Sequence, residues 1–154
     1  MLTIEQKACN DETWKHINQV QYFINLFIKE LLDRGNKHDQ SKLDSPEVEL
    51  FTELTDKLAG TTFGSPEYNE LKNKLGPALE HHYAKNRHHP EHHKDGLNDM
   101  NLIDIVELFC DWKASSLRHN NGNLLKSIEI NGKRFNMSDQ IIKIFENTAD
   151  FVEQ

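Results

Sequence analysis

The sequence predicts an all-α fold: one domain spanning residues 1–154, a compact bundle of about six or seven helices with a small β-hairpin near the C-terminus. Three observations lead there. Apolar residues recur three and four apart through most of the chain, the spacing of a helix that buries one face. Two start signals of the same form, Ser45-Pro46-Glu47 and Ser65-Pro66-Glu67, punctuate the first half. One short stretch, SIEINGKRF, instead alternates around Asn131-Gly132, the pair that favours the type I′ turn of a hairpin.

In chain order, TIEQ reads as a capping box, with Thr3 as N-cap and Gln6 reaching back, and opens a short first helix. Ile17, Val20, Phe23, Ile24, Phe27, Ile28, Leu31 and Leu32 mark a long amphipathic helix from about Asp11 to Arg34, stopped by Gly35. His16 lies one turn before Val20 and joins the stripe expected to be buried. In NKHDQSK, His38 and Asp39 are adjacent and Lys42 follows Asp39 by three. Ser45 as N-cap, with Pro46 at the first helical position, opens a helix to about Leu58, and Ser65-Pro66 opens another. Gly76-Pro77 breaks it, and Ala78 to about Asn86 resumes with Leu79, His82 and Asn86 on one side. Successive helical residues point about 100° apart, so of the neighbours His81 and His82 it is His82 that continues the Leu75, Leu79 stripe inward.

Pro90 pushes His89 out of helical geometry and makes HHPEHHKDG a turn-rich loop. Asn101 caps a helix over LIDIVELFCDWKASSLRH, where Asp104, Glu107 and Asp111 share or border one face beside Leu108, Phe109 and Trp112. A carboxylate row of this kind is most often a solvated face. Ser138 caps a last helix to about Val152, with Ile141, Ile142, Ile144 and Phe145 toward the core.

Composition narrows the function. A net charge of -7 without any block of Lys or Arg excludes the basic footprint of a duplex-binding protein. Cys9 and Cys110 lie far apart with no CxxC pair, which excludes a disulfide scaffold and a thiolate zinc site. No apolar run approaches the roughly 20 residues of a spanning helix and no leader pattern is seen, so a cytoplasmic protein without a membrane partner is expected. A homo-oligomer is compatible with all of this.

The stretch HHYAKNRHHPEHH holds six of the nine histidines. Neutral imidazole is the commonest protein ligand for transition metals, which makes a metal site the first reading and a merely His-rich polar loop the plain alternative. In order, the chain offers His16, then His38 with Asp39, then His82, then His88 or His89, then Asp111. This order resembles the HD-domain superfamily of metal-dependent phosphohydrolases. There a His, an adjacent His-Asp pair and a late Asp bind one metal, and intervening histidines bind a second. KHDQSK is similar to the HDxxK element of many HD proteins, including the HD-GYP group. NRHHPEHHKDG is similar to that group's His-His-Glu segment, although the GYP residues are absent. More narrowly, HDxSK, NxHHPEH and ELxCDW together resemble a family of small, mostly phage-encoded HD-like proteins of unassigned function. The superfamily resemblance covers about Trp14 to Arg118. It implies an HD-domain-like bundle with His16, His38, Asp39, His82, His89 and Asp111 as metal ligands.

The residue types support a metal independently, because mixed imidazole and carboxylate ligands suit one or two divalent transition-metal ions, Mn, Fe, Co, Ni or Zn. Asp39 is the natural bridging carboxylate, and Glu107, one turn before Asp111, is placed to orient a water or an imidazole. Lys42 and Arg118 are the best-placed cations for a phosphate, with Arg87 third. Asn86, His88 and His92 contact substrate or ligate. The functional reading is a phosphohydrolase acting on a nucleotide or another small phosphate ester, with Asp39, Lys42 and Glu107 in catalytic roles. The alternative is a non-catalytic protein that sequesters a nucleotide or signalling molecule in the same pocket. A Mg-dependent pyrophosphatase built on Asp104, Glu107 and Asp111 ranks last, since its facing pair would be Glu47 and Glu49, two residues apart and on different helix faces.

Overall fold

The computed structural model describes residues 2–61, 65–117 and 122–152. Among these residues there are seven α-helices: α1 (Ile4–Lys37), α2 (Glu47–Ala59), α3 (Pro66–Lys74), α4 (Gly76–Lys85), α5 (Leu102–Ser116), α6 (Leu124–Arg134) and α7 (Asp139–Val152). Short 3-10 turns occupy Gln40–Leu43, Pro90–His92 and Gly96–Asp99. Among the described residues there is no strand, so the fold is all-α and the expected hairpin is absent. No helix is long and apolar enough to cross a membrane among those residues.

Two compact units divide the chain, residues 1–36 and 37–154. The first is α1. Its capping box forms as expected, with Gln6 N donating to Thr3 Oγ1 at 3.2 Å and Thr3 N donating to Gln6 Oε1 at 2.9 Å. The short first helix and the long amphipathic one are a single helix, because nothing between Gln6 and Asp11 interrupts it. Gly35 does not end it either: one glycine costs a helix only about 1 kcal/mol, and the backbone continues helical to Lys37. No residue of α1 is buried, His16 included. A lone helix has no second element in its own unit against which to bury a stripe.

The second unit holds two apolar clusters. Leu54, Leu75 and Ala78 join α2 to the segment where α3 gives way to α4, with Leu50, Phe51, Leu71 and Leu79 packed around them. Leu108, Phe109, Trp112, Leu124, Ile128, Met137, Phe145 and Ala149 join α5, α6 and α7. Here α6 replaces the hairpin. Leu124, Ile128 and Gly132 recur every four residues and are all buried, a helical period that the alternating SIEI window was too short to reveal. Gly132 is not a turn residue: a Cβ there would lie 3.1 Å from Ile142 Cδ1, so the glycine lets α7 approach α6. Asn123 starts α6 by accepting from Lys126 N at 2.9 Å. At α2 the start falls one residue later than expected, with Pro46 in the N-cap position and Glu47 as the first helical residue.

Candidate metal centre

Four segments of the second unit bring ligand-type side chains together. His38 and Asp39 follow α1, and Asp39 adopts the left-handed conformation (φ 57°), which Asp tolerates better than most residues. His82 comes from α4, His88 and His89 from the loop after it, and Asp111 from α5. Their atoms form two groups: Asp39, His82, His88 and His89, and then His38, His88 and Asp111, with the ligand atoms of each group within 4.8 Å of one another. His82 Nε2 lies 3.3 Å from Asp39 Oδ1 and His88 Nε2 lies 3.6 Å from the same oxygen. His38 Nε2 is 3.6 Å from both Asp39 Oδ2 and Asp111 Oδ1. The two oxygens of Asp39 thus face different groups.

Two further carboxylates fix the imidazoles from behind. Buried Glu47 accepts from His82 Nδ1 at 2.8 Å through Oε2 and from His81 Nδ1 at 2.7 Å through Oε1. Glu107 Oε1 lies 2.9 Å from His38 Nδ1 and 3.1 Å from His88 Nδ1. A carboxylate only accepts, so the Nδ1 atoms of His82 and His38 donate to Glu47 and Glu107, which leaves His82 Nε2 toward Asp39 and His38 Nε2 toward Asp39 and Asp111. This is how metal-binding histidines are oriented. Asn86 braces the back of His82 by donating to its carbonyl at 2.8 Å and to Ser41 Oγ at 2.8 Å.

Charge and burial fit a cation. Asp39 Oδ1 and His88 Nε2 are buried without a hydrogen-bond partner. His82 Nε2 and His89 Nε2 are 2.9 Å apart. Burial holds His82 below the usual imidazole range, and burial with the neighbouring His88 and His82 charges pushes His89 down to about 3. Two ring nitrogens at that distance share either a proton, one donating to the other, or a cation. His38 is raised to about 10 by its hydrogen bonds to Asp111 and Glu107. Burial pushes Asp39 and Asp111 upward, but the Lys42 hydrogen bond on Asp39 and the His38 hydrogen bond on Asp111 hold both carboxyls below the usual range.

Of the remaining expected residues, Lys42 Nζ donates to Asp39 Oδ2 at 2.6 Å and stands over the Phe51 ring. Arg87 is committed to Asp104, donating from Nε at 3.3 Å and NH2 at 3.0 Å. His92 Nδ1 donates to the Tyr83 carbonyl at 2.8 Å and braces the loop. His16 lies exposed on α1 and is in neither group, and Arg118 lies outside the described residues. Of the α5 carboxylates, Asp104 and Glu107 are buried, so the row is not a solvated face. Sequence reasoning missed Glu47 as a partner of His82 and left His88 open between substrate contact and ligation, and the structure puts His88 in both ligand groups. For Glu47, the only signal was its place directly after the Ser-Pro start.

A family model described as a family of unknown function (DUF5662) matches residues 5–153. The chain belongs to this family. No curated protein and no solved structure matches it. Membership of DUF5662 brings no chemistry with it, so the geometry has to supply one. For this DUF5662 protein, Glu47→Gln is expected to weaken metal binding about 10- to 100-fold, because the amide NH2 confronts an Nδ1–H that the carboxylate accepts. Competition against a chromogenic chelator measures this, and unchanged affinity would remove Glu47 from the site.

Proposed function

We propose that this protein is a metal-dependent phosphohydrolase of the HD-domain type, acting on a small phosphate ester such as a nucleotide. The observation that carries the proposal is the convergence of His82 and His88 Nε2 on Asp39 Oδ1, with that oxygen and His88 Nε2 buried and without hydrogen-bond partners. Asp39, His82, His88 and His89 would hold one divalent transition-metal ion, and His38, His88 and Asp111 a second or alternative one. Such an ion supplies Lewis acidity toward a phosphoryl oxygen and a means of ionising water near neutral pH. Glu47 and Glu107 would hold His82 and His38 with Nδ1 donating and Nε2 toward the ion. Lys42 offers an ammonium beside Asp39, where a phosphate would need positive charge.

The test is metal analysis of the purified protein together with hydrolysis of a panel of phosphate esters, repeated on Asp39→Ala with its fold checked by circular dichroism. One or two transition-metal ions per chain are expected, with Asp39→Ala losing metal and at least about 100-fold in rate, the equivalent of about 2.7 kcal/mol. Retention of metal and activity by Asp39→Ala sinks the assignment. Tight binding of a nucleotide that is then recovered intact would favour the sequestering alternative.

A further inference from the structure

His89 and Asp111 do more than border the metal centre: they also form part of the wall of a cavity of about 230 Å³. The rest of its lining comes from α4, α5, α6 and the His-rich loop. Arg134 is the one Lys or Arg among the described residues that line it. Its guanidinium is held in place, with NH2 donating to Glu91 Oε1 at 2.6 Å and the carbon 4.7 Å from the Phe135 ring centre, and it lies against the Tyr83 hydroxyl. An exposed Arg-Glu pair contributes little to stability by itself. This pair differs in that both members line the cavity, and a guanidinium has five N–H donors, more than one carboxylate can occupy. Asn131, one turn earlier on α6, adds an amide to the same wall.

We infer that this cavity receives the part of the substrate attached to the phosphate, that this part is compact and carries a second negative charge, and that Arg134 selects it. The inference rests on the phosphohydrolase reading for where the phosphate sits. Size supports it, since the cavity falls below the roughly 300–1,000 Å³ that enclose drug-sized ligands. A nucleoside could therefore not be wholly enclosed, whereas a carboxylate or second phosphate on a short linker fits. Charge supports it as well: Asp111 and Glu91 on the wall make an anion unwelcome anywhere except at Arg134 and the metal.

The experiment compares two phosphonates of similar size, phosphonoacetate and ethylphosphonate, by calorimetric titration into the full-length, metal-loaded protein. Their carbon–phosphorus bonds resist hydrolysis, so binding is read without turnover. The wild type is expected to prefer phosphonoacetate by about tenfold or more, the range of one charge-assisted hydrogen-bonded pair. Arg134→Gln should bring the two within about twofold by weakening phosphonoacetate alone, and Arg134→Lys should keep part of the preference. Equal affinities in the wild type, an undiminished preference in Arg134→Gln, or failure of both compounds to bind overturns the inference. Hydrolysis of phosphoglycolate and ethyl phosphate is followed separately. Selective binding without hydrolysis of either ester counts against the phosphohydrolase and leaves the Arg134 subsite standing, whereas hydrolysis with a preference indifferent to Arg134 does the reverse.

Discussion

Replacing His88 with alanine is expected to leave the protein without bound metal. His88 is the one residue common to both ligand groups, and it is only 1% exposed, so no solvent-borne donor readily takes its place. Elemental analysis after extensive dialysis measures the effect, with circular dichroism to show that the fold survives. His93→Ala is the matched control. Its ring Nε2 donates to the Arg87 carbonyl in the same loop and belongs to neither group, so it should keep full occupancy. Undiminished metal in His88→Ala would mean that the cluster is a hydrogen-bonded polar network rather than a ligand set.

The largest loss of stability is expected from Phe145→Ala. Phe145 is 2% exposed, and its ring stands edge-on to Phe109 at 5.3 Å and to Trp112 at 5.6 Å, joining α7 to α5. Removing a buried phenyl ring costs about 3–5 kcal/mol, which for a unit of this size lowers the midpoint of thermal unfolding by about 10 °C or more. Ile144→Ala, one residue away but 56% exposed, should change it little. A small shift for Phe145→Ala in a thermal melt would show that the α5–α7 cluster repacks around the gap.

The elements that carry their own punctuation were legible in the sequence. The Thr3 capping box, the Ser65-Pro66 start, the Gly76-Pro77 break and the Asn101 cap all depend on local chemistry, and each sits where its residues imply. The hairpin failed because Asn131-Gly132 has two uses, and a window of nine residues cannot tell a turn from a helix glycine that faces a neighbouring helix. His82 could be placed inward and His81 beside it because helix geometry separates adjacent residues, and the structure has His82 buried and His81 half-buried. The place of Glu107 one turn before Asp111 pointed to a group that orients an imidazole, as it does for His38, whereas Glu47 was missed because its contact with His82 lies 35 residues away in the chain and nothing local encodes it.

One ion pair constrains what the centre can accept. Asp104 is fully buried at the start of α5, where its carboxylate accepts from the Asn101 backbone and from two nitrogens of Arg87, the residue just before His88 and His89. The loop bearing two of the imidazoles is therefore pinned to a helix end, and it cannot slide outward without unravelling that first turn. In the metal reading proposed above, a cage so stiffened would discriminate by ionic radius, favouring small ions whose nitrogen bonds are near 2.1 Å over calcium, whose oxygen contacts of 2.3–2.6 Å demand a wider, more pliant shell.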